Sequence, residues 1–169
     1  MKAKLIINNQ EIEVEISEEE YKKLKSKAIK TGYERVEHES FYYFVENNGD
    51  IHHPVRDGRL KVDDKRYEAA NYYSSLTVAE NNARADKLMR QLRRFAVERR
   101  EKKLDWDNCK HHKHYISYDH EDAKLYSDYN CVIAILGCPY FDSKETAQLA
   151  IDTFHDELMW YFTEYKDSL

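Results

Sequence analysis

Two stretches decide the fold: Tyr72-Tyr73-Ser74-Ser75, which leads into a helical pattern carrying Ala79 and Ala83, and Tyr140-Phe141-Asp142-Ser143, which leads into one carrying Ala147 and Ile151 at the same offsets. In each, an aromatic pair of strand character meets a serine at the position that caps a helix. Upstream of each lies a second aromatic segment, Phe41-Tyr42-Tyr43-Phe44-Val45 and His114-Tyr115-Ile116-Ser117-Tyr118. The pattern predicts a strand–strand–helix unit used twice. Each copy has one apolar face to cover, so the two are expected to form an antiparallel or mixed sheet with helices packed on one side, an α+β fold.

The long helix after Ser75 is expected to run to about Arg100, with an apolar stripe of Ala85, Leu88, Met89, Leu92, Phe95 and Ala96 at spacings of three and four. The last helix, capped by Ser143, carries Ala147, Ala150, Ile151, Phe154, Leu158, Phe162 and Tyr165. Between them, Lys113–Asp119 alternates like a half-buried strand. The apolar run Cys131–Cys138 reads as a central strand buried on both faces. In the first unit, Tyr33–Val36 and Phe41–Glu46 read as strands and Asn47-Asn48-Gly49-Asp50 as a hairpin turn, since Asn-Gly accepts positive φ. Val55–Arg66 reads as a loop and Tyr67–Tyr73 as extended.

Ahead of these units, Lys2–Ile7 and Glu11–Ile16 alternate with period two around Asn8-Asn9, predicting a hairpin. Ser17 and Glu20 form a capping box for a helix with the stripe Tyr21, Leu24, Ala28 and Ile29, ended by Thr31-Gly32. The expected organisation is a ββα appendage over 1–32 and an α+β core over 33–169, divided near 33–103 and 104–169.

The 169 residues include 41% hydrophobic and 35% charged side chains with four Gly and two Pro, which excludes a low-complexity chain. The net charge of −5 argues against a protein that coats nucleic acid with its whole surface. No apolar run approaches the roughly 20 residues of a membrane span, and the first residues lack signal-peptide character. The expected location is the cytoplasm. Three cysteines imply no disulfide framework; Cys131 and Cys138, seven apart, read as small buried hydrophobes.

Signatures of catalysis are missing: no Gly-x-Ser-x-Gly, no phosphate-binding glycine loop and no His-Glu-x-x-His occur. No enzyme activity and no cofactor are expected. Among eight histidines, His112 and His114 would share a strand face about 6.6 Å apart, a spacing that suits chelation but matches no standard zinc pattern. A metal-dependent enzyme is therefore only a third reading.

The sharpest surface signal is basic. Arg84, Lys87, Arg90, Arg93, Arg94 and Arg100 fall opposite the apolar stripe of the long helix. Residues 84–103, Lys103 included, hold nine basic and three acidic side chains, a local +6. Such an arc suits an acidic protein surface, phosphates of DNA or RNA, or solvent. The fourteen tyrosines suit strands and cores; exposed, Tyr42, Tyr72 and Tyr118 would also offer contact or stacking surfaces.

Several phrases carry a resemblance: Thr31-Gly32-Tyr33-Glu34-Arg35-Val36, Lys65-Arg66-Tyr67-Glu68-Ala69-Ala70-Asn71-Tyr72-Tyr73, Leu92-Arg93-Arg94-Phe95-Ala96, and Pro139-Tyr140-Phe141-Asp142-Ser143. Over most of residues 31–155 the chain resembles small uncharacterised proteins encoded by phages and prophages of Gram-positive bacteria, with Ala70 standing where that pattern would place Gly. The group includes anti-CRISPR inhibitors. The resemblance implies a non-enzymatic protein that binds a host protein, such as a CRISPR nuclease or its guide complex, in the bacterial cytoplasm. The alternative is a phage accessory protein that binds nucleic acid through its basic helix.

Overall fold

A computed structural model describes residues 2–7, 10–27 and 30–165. Its elements in chain order are β1 (Lys2–Ile7), β2 (Gln10–Glu15), α1 (Glu18–Lys27), β3 (Phe41–Tyr42), β4 (Val55–Arg56), α2 (Lys61–Glu68), α3 (Leu76–Glu98), β5 (Lys113–Asp119), β6 (Lys124–Asn130), α4 (Lys144–Thr153) and α5 (His155–Trp160), closed by a π-helical turn, Tyr161–Tyr165. The class is α+β. The strands pair antiparallel as β1-β2, β3-β4 and β5-β6, so the described residues hold three two-stranded sheets and not the single merged sheet expected.

The N-terminal hairpin forms as its alternation predicts. The capping box forms too: Ser17 N donates to Glu20 Oε2 at 2.9 Å and Glu20 N donates to Ser17 Oγ at 3.2 Å. The Asn8-Asn9 turn and the side chains of Tyr21, Leu24, Ala28 and Ile29 lie outside the described residues.

Two backbone bridges stand at matching places in the chain. Tyr73 exchanges two amide–carbonyl bonds with Tyr43, at 2.8 and 2.9 Å, and Phe141 exchanges two with His114, at 3.0 and 2.8 Å. In both the residue two positions before a helix's N-cap thus bridges the aromatic strand. The next residue ties down the start of its unit. Ser74 donates to the Gly32 carbonyl and to Glu34, while Asp142 Oδ2 accepts from the amides of Glu101 and Lys102 at 2.7 and 2.9 Å. Gly32 sits at φ 86, and a Cβ there would lie 2.6 Å from Val78 Cγ2. Only glycine allows this segment to press against α3.

The two helix starts differ. Ser143 Oγ accepts from Thr146 N at 3.1 Å, as a cap should. Ser75 occupies the capping position without such a bond.

Packing divides α3 between the units. Ala79 and Ala83 are buried near its start, where Asn82 Nδ2 donates to the Tyr33 hydroxyl at 2.7 Å. Further along, Leu88, Leu92, Phe95 and Ala96 join Leu125, Phe141, Ala147, Ala150, Ile151 and Leu158 in the larger core. The last helix is interrupted at Phe154, which packs edge-on against Phe95 with centroids 5.5 Å apart.

The smaller core is Tyr42, Phe44 and Tyr72. Tyr42 and Tyr72 stack with centroids 4.0 Å apart, and each hydroxyl finds a buried carboxylate, Asp63 and Asp57, at 2.8 Å. Asp57 is fully buried and binds Arg35 Nε at 2.9 Å, Arg35 Nη2 at 3.2 Å, the Arg59 amide at 2.8 Å and Arg59 Nη1 at 3.2 Å. The Arg35 guanidinium holds the Asp57 carboxyl well below the usual carboxylate range, outweighing burial, with the Arg59 amide and Tyr72 hydroxyl assisting. Burial, and then Asp57, push the Tyr72 hydroxyl above its ordinary value.

Three expectations fail here. Val55–Arg66 is not a loop throughout: Asp63 Oδ2 accepts the Leu60 amide at 2.9 Å and so opens α2, which carries Tyr67 into a helix. Tyr33–Val36 is irregular and not a strand. Cys131–Cys138 is not a buried strand: it is irregular, residues 132–137 are exposed, and the segment that bridges β5 at His114 is Phe141, beyond it. The 47–50 turn does form, with Gly49 at φ 92.

Two predictions follow from these contacts. Asp57→Asn is expected to lower stability by about 2 kcal/mol by removing the buried charge on which Arg35 and Arg59 converge, although Arg35 keeps its second carboxylate, Asp64, at 2.7 Å. Since the folded pKa of Asp57 lies below that of a free aspartate, its stabilisation is complete above about pH 4 and is lost as pH falls towards the folded value. Denaturant melts at pH 7 and pH 3 should show the wild-type advantage shrinking at the acid end. Ala70 sits at φ 53, where a Cβ is unfavourable, so Ala70→Gly is expected to gain about 1 kcal/mol. A lower unfolding midpoint for the glycine variant would show that position to be unstrained.

Candidate functional site

β6 ends at Asn130, and the apolar run that follows is displayed on the surface. Leu136 is fully exposed at 102%, Val132 and Ile133 about two-thirds exposed at 65% and 64%, and Ile135 at 45%. Isolated surface aliphatics need no explanation, but four within five residues form a patch of the kind that marks an interaction site.

This loop is held from beneath. Lys113, fully buried at the start of β5, points its ammonium at the carbonyls of Cys131, at 2.6 Å, and Asn108, at 3.0 Å. The same ammonium lies 5.2 Å from the Trp106 ring centre. A second strut is Tyr140, whose hydroxyl accepts from Ile135 N at 2.7 Å and donates to the Ile133 carbonyl at 3.4 Å. Its ring is gripped edge-on by Trp106 and Tyr115, at 5.0 and 5.9 Å. Gly137 turns the chain at φ 76 with open space about its Cα. Immobilising a buried cation and a tyrosine under an apolar loop keeps its side chains in water in a preset arrangement. That is the geometry of a contact surface prepared before its partner arrives.

Beside the loop runs a groove of about 460 Å³, formed by α3, β5, residues 135–139 and the C-terminal helical segment. Leu92, Met89, Ile116 and Phe162 make its walls apolar, and Arg93 stands at the rim. Cys138 lines it as well; burial pushes that thiol up to about 11, so it stays protonated and serves as packing surface.

The basic arc survives only in part. Arg84 is committed to Glu157, with bonds of 2.8 and 3.2 Å, and stacks 3.9 Å over Trp160. Arg94 reaches Glu98 at 3.9 Å, an exposed pair worth little. Arg93 Nη2 donates to the Gly137 carbonyl at 3.4 Å, which joins the arc to the loop. Lys87 and Arg90 are exposed and form no ion pair among the described residues. Arg100 and Lys103 are exposed but lie beyond α3, which ends at Glu98, so the basic segment to 103 is not all helix.

The tyrosines divide differently from the expectation of an exposed platform. Tyr42 and Tyr72 are buried, at 0% and 1% exposure, and are corrected to core residues; their hydroxyls are consumed by carboxylates. Tyr118 is half-buried and stacks on Phe162 at 5.7 Å. His112 and His114 do approach, with ring centres 6.2 Å apart, but His112 lies stacked on Tyr129 at 4.1 Å. Burial and then His112 lower the His114 pKa. Among the described residues, no group of three His, Cys, Asp or Glu is placed to hold a metal ion.

Loop 132–136 was missed as a site because its apolar run reads as a buried strand. The six residues before Gly137 are ordinary strand length, so no local signal separates a buried strand from a displayed loop here. Compared with known proteins, the chain matches no protein-family model, no curated protein and no solved structure. Among the described residues no helix is long and apolar enough to cross a membrane.

Lys113→Met keeps the buried stem but removes the ammonium from both carbonyls; Asn108 O retains the His111 amide at 3.1 Å, whereas the Cys131 carbonyl loses its 2.6 Å donor, which should cost about 2 kcal/mol. Hydrogen exchange of amides 131–138 is expected to accelerate in this variant. Unchanged exchange there would mean that the loop is held by other contacts.

Proposed function

We propose that this protein is a non-enzymatic binding protein, and that it works by seating a partner protein on loop 132–136 and the adjoining face of α3. The observation that carries the reading is the exposed aliphatic loop braced by Lys113 and Tyr140. Covering a Val, Ile or Leu side chain that would otherwise stand in water is worth about 1.5–3 kcal/mol each, so these four residues can supply the centre of an interface. The struts reduce the ordering cost on binding.

The partner class we propose is a host protein of bacterial defence, such as a CRISPR nuclease, which this protein would antagonise by occupancy. That choice rests on the resemblance to phage and prophage proteins in the four phrases quoted above. Ile133→Asp with Leu136→Asp alters only exposed side chains. The double variant is expected to fold normally and to lose at least about tenfold in capture of the host partner and in inhibition of DNA cleavage. Full inhibition by the double variant, or no inhibition by the wild type, counts against the proposal.

A second reading, nucleic-acid binding, is favoured by Lys87 and Arg90, whose charges meet no carboxylate among the described residues. It requires affinity that falls steeply with salt and weakens when Arg90, Arg93 and Arg94 become Ala. An apolar loop beside those cations is poorly matched to phosphates, so we rank this reading second.

A further inference from the structure

Groove, loop and arginines form one surface, and their combination specifies the partner's chemistry more narrowly than protein binding alone. We infer that the groove between α3, β5 and residues 135–139 takes a short apolar peptide segment flanked by carboxylates. This rests on the binding reading above.

Two features select a peptide over a small ligand. The groove, at about 460 Å³, lies within the range of ligand sites, yet the surface does not end at its mouth. Val132 and Ile133 project beside it, and a molecule filling only the groove would leave them in water. A polypeptide can insert side chains into the concavity and cover the projecting loop with its neighbours.

Charge selects what flanks those side chains. Arg93 stands at the rim with one long bond of 3.4 Å to a neutral carbonyl. Lys87, Arg90 and Arg94 follow at steps of three and four along α3, so they share the face that continues from Arg93 away from the groove. A segment lying across this rim meets cations along its length, in a chain whose net charge is −5. Carboxylates pair with guanidinium groups through two parallel bonds, and an apolar core flanked by such pairs gains both affinity and orientation.

The test uses fluorescence anisotropy with three labelled peptides: leucines and a phenylalanine between runs of glutamate, the same apolar residues between lysines, and the glutamate runs with serines between them. Only the first is expected to bind. Its affinity should fall about tenfold or more with Arg93→Glu, with Leu136→Ser, and on raising salt from low to high. Both substitutions fall on exposed side chains, and circular dichroism checks that the variants remain folded.

Equal binding of the lysine-flanked peptide, insensitivity to Arg93→Glu, or binding of none of the three overturns the inference. Sedimentation showing a dimer that Leu136→Ser dissociates would assign the surface to a second copy, and dodecanoate binding without peptide binding would assign it to a small apolar acid; either result also overturns it. Host-protein capture that persists in Arg93→Glu while all peptides fail would remove this inference and leave the proposed function standing. Peptide binding without any effect on a host nuclease would do the reverse.

Discussion

Two reciprocal pairs of backbone hydrogen bonds, Tyr43 with Tyr73 and His114 with Phe141, determine where α3 and α4 begin. Each satisfies a strand edge that would otherwise present bare amides and carbonyls, and does so with the residue two positions before a helix's N-cap. Everything after the bridge is constrained by it. The helix must start beside its own hairpin, its first buried alanine or alanine-like position must face that hairpin, and the following apolar residues must close a core. Ala79 and Ala147, both fully buried, are the equivalent positions.

The exposed loop lies outside these pairings. One edge of β5 pairs with β6 and the other is bridged at His114 by Phe141, and residues 131–138 join neither strand. They leave the sheet, and Lys113 and Tyr140 then fasten them from below. At the position where the first unit has Tyr42, hydrogen-bonded to Asp63 of α2, the second has Lys113, bonded to the carbonyls of the loop. One architecture therefore yields a closed face in the first unit, sealed by α2 and the Asp57 cluster, and an apolar, open face in the second. Electrostatics sharpens the contrast: the first unit's arginines, Arg35 and Arg59, are bound to a buried carboxylate, while those of α3 near the groove face outward.

Much of the fold was legible in the residues. The N-terminal hairpin, the capping box at Ser17, the Asn-Gly turn, the length of α3 and its stripe, and the doubled unit all follow from local periodicity and turn chemistry. Even Ala70, which stands where the pattern asks for Gly, proves to occupy positive φ. The misreadings have two causes. The Asp63–Leu60 cap spans only three residues, but a leucine in the helix-capping position does not announce a helix start. Tyr42 and Tyr72 could be core or contact surface until Asp63 and Asp57 are found against their hydroxyls, and those partners are distant in the chain.

The sequence by itself determined the α+β class, the repeat of aromatic strand and helix, and the concentration of positive charge between Arg84 and Lys103, because these depend on neighbours within a few residues. Tertiary structure alone decided that 131–138 is displayed and not buried, that Tyr42 and Tyr72 are core, and that Arg84 is spent on Glu157 while Arg93 borders a groove. An apolar run carries the same local signal whether it enters a sheet or crosses the surface, and only contacts with residues distant in the chain, such as the Lys113 ammonium under the Cys131 carbonyl, distinguish the two.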